Sequence, residues 1–321
     1  MQANRGAILF MTKNCLPEDF EARIKEILPS MPVSIFEPRS FQAFRINTLK
    51  IGVEEAWKLL SEAQVDFQPV SWCPYAIVVA KAKAGELLRS NFVNDGILYA
   101  QGLESMLAVM VLDPAPQERV LDLCAAPGSK TTQIAMHMQN TGALIANEPV
   151  RDRFFRLRSV VQLMGAKVKL SSIDGRRLQA REGLFDRILV DAPCSCEGRF
   201  LMDDPKSFGY WSVRKIKEMS HKQKGLLLNA GRLLKPGGVM VYATCTFAPE
   251  ENEEVVDWFL RKTEGKFELL PVSLPGVGTY PCLTKWQARS YESVLTPAAR
   301  ILPDDRMEGF FIAKITNSHY K

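Results

Sequence analysis

The sequence predicts a doubly wound, Rossmann-like α/β sheet preceded by a smaller N-terminal α+β unit. Three observations lead there. From Glu118 onward, short apolar strands alternate regularly with helices. Several of these strands are apolar at successive positions, as parallel strands buried on both faces are. A tight Ala125-Ala-Pro-Gly-Ser129 turn joins the first of them to a helix. Strands are expected at Val120–Cys124, Ala143–Asn147, Val168–Ser171, Arg187–Val190 and Val239–Ala243. Helices are expected from Lys130 and over about 151–164, 213–233 and 250–262.

The chain ahead of this pattern is read as a separate domain, 1–96, with 97–321 forming the larger one. Leu16–Leu28 is helical: Pro17, Asp19 and Glu21 open it, and Phe20, Ile24, Ile27 and Leu28 make its apolar stripe. A strand at Ala43–Leu49, a helix at Val53–Glu62 and strands at Phe67–Val70 and Ala76–Val79 follow. A helix over Leu98–Val111 leads into the larger domain.

At 321 residues and 46% apolar composition, the chain can bury a core of ordinary size. No apolar run reaches the roughly 18 residues of a membrane span. The patch Ala7–Met11 lacks the length and cleavage site of a secretory signal, and Met11 is an alternative initiator. We therefore expect a soluble, cytoplasmic monomer. Seven scattered cysteines and three histidines, with Cys194-Ser-Cys196 the one close cysteine pair, predict neither disulfides nor a metal site. Cys15, Cys73 and Cys282 read as small buried hydrophobes.

The net charge of +5 is modest, but it is clustered. Arg151, Arg153, Arg156 and Arg158 share one helix, Lys167, Lys169, Arg176, Arg177 and Arg181 follow, and Arg214, Lys215, Lys217, Lys222 and Lys224 form a second group. Each cluster alone reads equally well as a solvated helix face. Two of them flanking one site favour a phosphate-binding groove.

Ligands of such sheets bind beyond the carboxyl ends of the strands. Those ends carry Asp122 with the turn Cys124–Lys130, then Glu148, Asp174, Asp191 with Cys194, and Cys245. The turn has neither the GxGxxG nor the GxxxxGK[ST] spacing, which disfavours dinucleotides and nucleoside triphosphates. Its backbone N–H groups suit a carboxylate. Glu148 suits a ribose diol, and Asp174 suits an adenine amine. Helix capping by each acid is the simpler alternative, but four in order are hard to assign to it. The ligand they describe is S-adenosylmethionine, held by Cys124, Ala125, Ala126, Pro127, Gly128, Ser129, Lys130, Glu148, Arg153, Asp174 and Asp191. Two thiols, Cys194 and Cys245, at neighbouring strand ends suggest covalent catalysis.

Asp191-Ala-Pro-Cys194-Ser, Thr244-Cys245-Thr-Phe-Ala-Pro-Glu-Glu-Asn252-Glu and Ala125-Ala-Pro-Gly-Ser-Lys130-Thr-Thr together resemble the Nop2/Sun family of RNA cytosine-C5 methyltransferases. Arg45-Ile-Asn-Thr-Leu-Lys50, Tyr99-Ala-Gln101, Ser105-Met106 and Glu308-Gly-Phe-Phe-Ile-Ala-Lys314 extend the resemblance over almost the whole chain. It implies a methyltransferase sheet with an RNA-positioning N-terminal domain. RNA is the implied partner, with small-subunit rRNA favoured over tRNA. In the implied roles Cys245 attacks C6 of cytosine, Cys194 serves release, and Asp191 engages N3 and the 4-amino group. Lys130 holds Asp191 or favours a thiolate. Cys196 stands where the family usually has glycine, and Leu201-Met-Asp-Asp-Pro205 lacks the family's basic residue. The C-terminal RNA-binding domain of longer members is expected to be absent. Enzymes acting on exocyclic amines carry Asp/Asn-Pro-Pro-aromatic, which does not match, and DNA cytosine-C5 enzymes place the nucleophile at the Pro-Cys position. A catalytically silent ribosome-assembly factor is the reading from another class, and the retained cysteines and Asp191 weigh against it. Pro249, as an early helix residue, favours a Cys245 thiolate through the helix N-terminus. Glu250, Glu251 and Glu253 oppose it, and the sequence leaves that balance open.

Overall fold

The computed structural model describes residues 16–291 and 295–318; Cys15, Met11 and the Ala7–Met11 patch lie outside them. Among the described residues no helix is long and apolar enough to cross a membrane.

A four-stranded antiparallel sheet comes first. It contains β1 (Phe41–Ile46), β2 (Gln68–Val70), β3 (Cys73–Ala80) and β4 (Leu98–Ala100) in the order β2-β3-β1-β4. Alternation along its strands divides the side chains between two cores. Phe44, Ile46, Ile77 and Val79 face α2 (Val53–Glu62) and α3 (Lys81–Leu88). Ala43, Ala76 and Val78 face the rest of the protein. A short α4 (Asn91–Asn94) turns the chain into β4.

The larger sheet is nine-stranded among the described residues. Its parallel part is β5 (Arg119–Asp122), β6 (Ala143–Asn147), β7 (Lys169–Ser171), β8 (Phe185–Asp191) and β9 (Leu234–Thr244), ordered β7-β6-β5-β8-β9. The chain leaves β5 toward β6 and returns on its other side as β8, which makes the C-terminal end of β5 the switch point. Beyond β9 the sheet turns antiparallel. β10 (Phe267–Leu270) and β14 (Ala299–Ile301) flank β15 (Phe310–Asn317), which pairs with β9, and β11 (Thr279–Tyr280) pairs with β14 at the edge. β12 (Lys285–Trp286) and β13 (Arg289–Ser290) form a separate hairpin.

Side chains on successive strand residues go to opposite faces. Leu121, Ile188, Val190, Met240 and Tyr242 pack on α1 (Glu18–Ile27), α8 (Val213–Leu233) and α9 (Glu253–Lys262). Val120, Leu189, Val241 and Ala243 pack on α5 (Leu103–Leu112) and α6 (Ser129–His137). α7 (Arg151–Leu163) lays Leu157 and Val161 over Ala125, Ala126 and Ala146.

Two elements differ in type or packing from what the sequence led one to expect. The stretch expected as one helix from Leu98 is a strand, Leu98–Ala100, paired with β1, and the helix begins only at Leu103. Gly102 separates them; a Cβ there would lie 1.9 Å from Glu104 Oε1. Helix α1 packs under the large sheet rather than on the small one. Phe20 stacks against Phe36, Phe200 and Trp211, with ring centroids 5.2, 4.8 and 5.6 Å away. The expected Ala43–Leu49 strand is Phe41–Ile46, and Asn47 ends it by donating from Nδ2 to Gly96 O and Met164 O. The helix expected from about 250 starts at Glu253.

Because Phe20 is buried within the large-sheet core, Phe20→Ala should cost about 3–5 kcal/mol by removing an aromatic ring the site cannot refill. Denaturant unfolding measures this. A loss below 1 kcal/mol would place α1 outside the cooperative unit.

Candidate active site

The site lies at the switch point, where β5, β8 and β9 end side by side over a cavity of about 540 Å³. That volume is in the range of small-molecule and cofactor pockets. At the end of β5, Thr131 Oγ1 donates to Asp122 Oδ2 at 2.6 Å, and burial pushes the Asp122 carboxyl up to about 7. The turn after it is pinned by Ala125 N–H donating to Asn147 O at 2.9 Å. Gly128 has φ of +115° and Val160 Cγ1 lies 3.0 Å from where a Cβ would be, so the turn admits only glycine there.

Of the residues expected to hold the cofactor, Cys124, Ala126, Pro127, Ser129, Lys130, Glu148, Arg153, Asp174 and Asp191 line the cavity. Ala125 and Gly128 do not: Ala125 is buried beneath α7, and Gly128 shapes the turn. Cys124 is held as a neutral thiol, pushed up by burial and by the nearby Asp122, Asp191 and Glu148. Glu148 is buried; its Oε1 accepts from Val150 N–H at 2.8 Å, and its Oε2 lies 3.5 Å from Arg153 Nη2. Arg153 also donates to Ala126 O at 2.8 Å, tying α7 to the turn. Asp174 pairs with Arg176 at 2.5 Å and accepts its backbone N–H at 3.0 Å; these bonds hold its carboxyl down at about 2. A turn of backbone N–H groups opening a helix, a buried carboxylate beside it and a second acid at the next strand end suit an adenosine ligand with a carboxylate tail.

Lys130 Nζ sits 2.8 Å from Asp191 Oδ2 and 5.5 Å from the Phe310 ring centroid. Burial opposes the lysine's charge, but Asp191 outweighs burial and raises its pKa.

The thiols meet because β8 and β9 pair in parallel with Asp191 opposite Ala243. Three residues past one and two past the other, Cys194 Sγ and Cys245 Sγ stand 3.3 Å apart. The Cys245 turn is stapled by Asn252: Thr244 Oγ1 donates to Asn252 Oδ1 at 2.6 Å, and Asn252 Nδ2 donates to Thr246 O at 2.8 Å. A third sulfur, Cys196 Sγ, lies 4.0 Å from Cys194 Sγ. Cys196 holds the left-handed conformation, φ 61°, that favours glycine, the residue expected there from the sequence resemblance. The trio titrates as a unit. Hydrogen bonds from Cys194 and Cys245 pull Cys196 down to about 3, with Arg199 and Arg153 helping. Cys194 is pushed well up by its bonds to Cys196 and Cys245 and by burial. The bond from Cys194 favours a Cys245 thiolate, but Cys196 and burial outweigh it and push Cys245 up as well. Of the three sulfurs, Cys196 is the one drawn toward the thiolate, and the other two are driven toward the neutral thiol.

The balance that the sequence left open is decided by partners. Helix α9 starts three residues beyond Glu250, so Pro249 lies in the loop ahead of it. Glu250 pairs with Arg23 at 2.8 Å. Glu253 takes Arg300 Nε on Oε1 at 2.7 Å and Nη2 on Oε2 at 2.5 Å, both residues being fully buried. Glu251 accepts from Ser195 N–H at 3.0 Å, Gln223 Nε2 at 2.8 Å and the Ser195 hydroxyl, and burial pushes its carboxyl up to about 8. Two of the acids are neutralised by arginine and the third by a proton.

Several wall residues carry no signal in local sequence. Glu104, pushed up to about 7 by burial and by Glu308, accepts from Glu308 N–H at 3.2 Å. Glu308 in turn pairs with Arg199 at 3.1 Å. Gln101 Oε1 is a buried acceptor at the cavity wall with no partner among the described residues. Part of the clustered basic charge is neutralised within the fold, since Lys224 pairs with Glu254 at 2.8 Å and Lys215 with Glu218 at 3.2 Å. Arg156, Arg158, Arg214 and Lys217 stay exposed, and Lys222 reaches the cavity.

Glu251 makes a pH-dependent contribution to stability. Between its ordinary value of 4.5 and about 8 the native protein keeps a proton that the unfolded chain releases. The stabilisation is complete below the lower value and is lost as pH rises through the upper one. Glu251→Gln mimics the protonated acid and should remove this loss. Urea unfolding of both proteins at about pH 5 and pH 9 checks it; parallel pH slopes would contradict a neutral Glu251.

Comparison with known proteins agrees with this geometry. The model of the family described as 16S rRNA methyltransferase RsmB/F matches residues 109–316. A tRNA (cytosine(49)-C(5))-methyltransferase of Pyrococcus abyssi is 41% identical over 278 residues, 85% of this chain and 87% of that protein. A ribosomal RNA small subunit methyltransferase F of Pectobacterium carotovorum is 36% identical over 254 residues, and the match takes in 52% of that longer protein, about half its length. A crystal structure of a methyltransferase homolog from Pyrococcus horikoshii superposes with a TM-score of 0.78 at 31% identity, covering 94% of this chain and 95% of the other. With its thiols, cofactor turn and sheet arranged as above, the chain belongs to the RsmB/F family of S-adenosylmethionine-dependent RNA methyltransferases.

Proposed function

We propose that this protein methylates carbon 5 of cytosine in RNA through a covalent enzyme–base adduct. The observation that carries this reading is the pair Cys194 and Cys245, 3.3 Å apart beside the Lys130–Asp191 ion pair. Carbon 5 is a weak nucleophile until something adds across the neighbouring double bond. Cys245, as thiolate, adds to C6, and the electron pair displaced makes C5 an enamine carbon. Asp191, entering as the neutral acid on contact with the base, donates its proton to N3, which takes up the displaced electron pair, and takes it back after methyl transfer. Its other oxygen, held by Lys130, accepts from the 4-amino group and fixes the ring's edge. S-adenosylmethionine, when bound, supplies an electrophilic methyl group for C5. Cys194, as thiolate, then takes the C5 proton, the C6–S bond breaks, and Cys245 leaves as thiolate. In the free protein the cluster pushes both thiols up, so each ionises only as it enters its own step, beside the Cys196 sulfur that is pulled down. A base in a helix must leave its stack to reach the site, which RNA loops make easier.

The family model favours small-subunit rRNA as the substrate. The 41% identity to an enzyme named for cytosine 49 of tRNA favours tRNA as a second reading. Bisulfite sequencing of both RNA classes, from cells with and without the gene, decides between them.

Two outcomes test the chemistry. Cys245→Ala should abolish both methylation and any covalent RNA adduct. Cys194→Ala should allow attack but impair release, leaving a slow protein–RNA band on a denaturing gel that resists reducing agent. An adduct that forms without Cys245 and disappears without Cys194 would reverse the two roles.

For the cofactor, Glu148→Ala should weaken S-adenosylmethionine binding by about 1.5–3 kcal/mol, the loss expected for a charge-assisted hydrogen bond. Calorimetry measures it, and unchanged affinity would remove Glu148 from the binding set.

A further inference from the structure

The sequence predicts no metal site, but folding brings three thiols to one point. Cys194, Cys196 and Cys245 offer sulfur atoms that all lie within 4.8 Å of one another, with two of the separations 3.3 and 4.0 Å. A zinc ion bound by thiolates at about 2.3 Å in tetrahedral geometry holds its sulfurs roughly 3.8 Å apart. Two of the observed spacings bracket that value and the third lies within 4.8 Å, so small side-chain rotations close the set. Two of the three sulfurs come from a Cys-Ser-Cys segment, and the third from the adjoining strand end.

The loop that presents them is firmly held. Ser195, between the two cysteines, is fixed from behind by Glu251, and its hydroxyl lies 2.7 Å from Thr246 Oγ1, next in sequence to Cys245. Gly198 N–H donates to Cys245 O at 2.9 Å. All three residues border the cavity, which leaves a fourth coordination position for water. The third ligand, Cys196, stands where the resemblance leads one to expect glycine.

We propose that Cys194, Cys196 and Cys245 form a three-thiolate site for a thiophilic divalent cation of the zinc class, and that occupancy arrests the enzyme. On binding, Cys194 and Cys245, still protonated in the free cluster, release their protons to solvent as metal–sulfur bonds form, while Cys196 binds as the thiolate it already is, with no change of oxidation state. The lone pair of Cys245 is then engaged and cannot add to C6. The binding half stands on the sulfur geometry. The inhibitory half rests on the reading of Cys245 as nucleophile.

The test uses the full chain, reduced with a phosphine. Cd²⁺ is titrated while thiolate-to-metal absorption in the ultraviolet is followed, and Zn²⁺ affinity is measured against a chromophoric chelator. One equivalent should bind. Cys196→Gly, which suits the left-handed backbone and keeps the other two sulfurs, should weaken Zn²⁺ at least about 100-fold, the upper cost of losing even an outer-shell partner. Its methyl transfer, normalised to its own metal-free rate, should tolerate correspondingly more Zn²⁺. Failure of wild type to bind one equivalent, or equal affinity in Cys196→Gly, would overturn the site. Tight binding that depends on Cys196 while methylation continues undiminished would leave the metal site standing and remove Cys245 as the nucleophile.

Discussion

Parallel pairing of β8 with β9 is the constraint on which the rest of the site depends. Each strand brings its cysteine a fixed number of residues beyond the last paired position, Asp191 opposite Ala243. A slip of one residue would turn one side chain to the other face of the sheet and separate the sulfurs. The register is guarded by burial. Val190 and Tyr242 enter one core, Leu189 and Val241 the other, and none of the four has appreciable exposure. Any slip would drive each of these side chains into the other core, which is packed around residues of different shape.

Electrostatics around the thiols follow from what lies behind them. Seen along the chain, the segment after Cys245 is crowded with acids, an environment hostile to a thiolate. In the fold Arg23 and Arg300 reach in from elements 227 and 47 residues distant to neutralise two of them. Burial neutralises Glu251 by protonation, because a carboxylate there would lose its hydration with no cation in return. The Arg300–Glu253 pair is bidentate and dry, so the removal of either partner would strand a buried charge. The same pair ties α9 to β14, and through it the antiparallel edge of the sheet to the catalytic turn.

The two sheets share a core rather than merely touching. Helix α5 is buried around most of its circumference, with one side against the small sheet and the other against β8, β9 and β15. This helix and the strand before it contribute Tyr99, Gln101 and Glu104 to the cavity wall. The small sheet is therefore part of the site's boundary, and Arg45 marks the seam. Fully buried, it donates to Thr132 Oγ1 on α6 at 2.7 Å from a strand of the small sheet, and its guanidinium lies 5.8 Å from the Tyr99 ring centroid.

Most of the catalytic frame was legible in the sequence, because it is encoded by local periodicity. Apolar runs of strand length, amphipathic helices and a Pro-Gly turn are determined by neighbouring residues, and the order of strand ends lines up Asp122, Glu148, Asp174, Asp191 and Cys245 without any knowledge of contacts. The resemblance to a family added roles for Cys194, Cys245 and Lys130. Other features belonged to tertiary structure alone. Leu98–Ala100 continues an apolar stretch that suits a helix, yet it forms a strand because β1 offers an unpaired edge. Helix α1 has an apolar stripe that fits either core, and only the aromatic cluster of Phe36, Phe200 and Trp211 selects the large one. Neither the neutralisation of Glu250, Glu251 and Glu253 nor the approach of Cys196 to Cys245 follows from spacing, since charge state and sulfur separation depend on partners distant in the chain and on the water excluded when they meet.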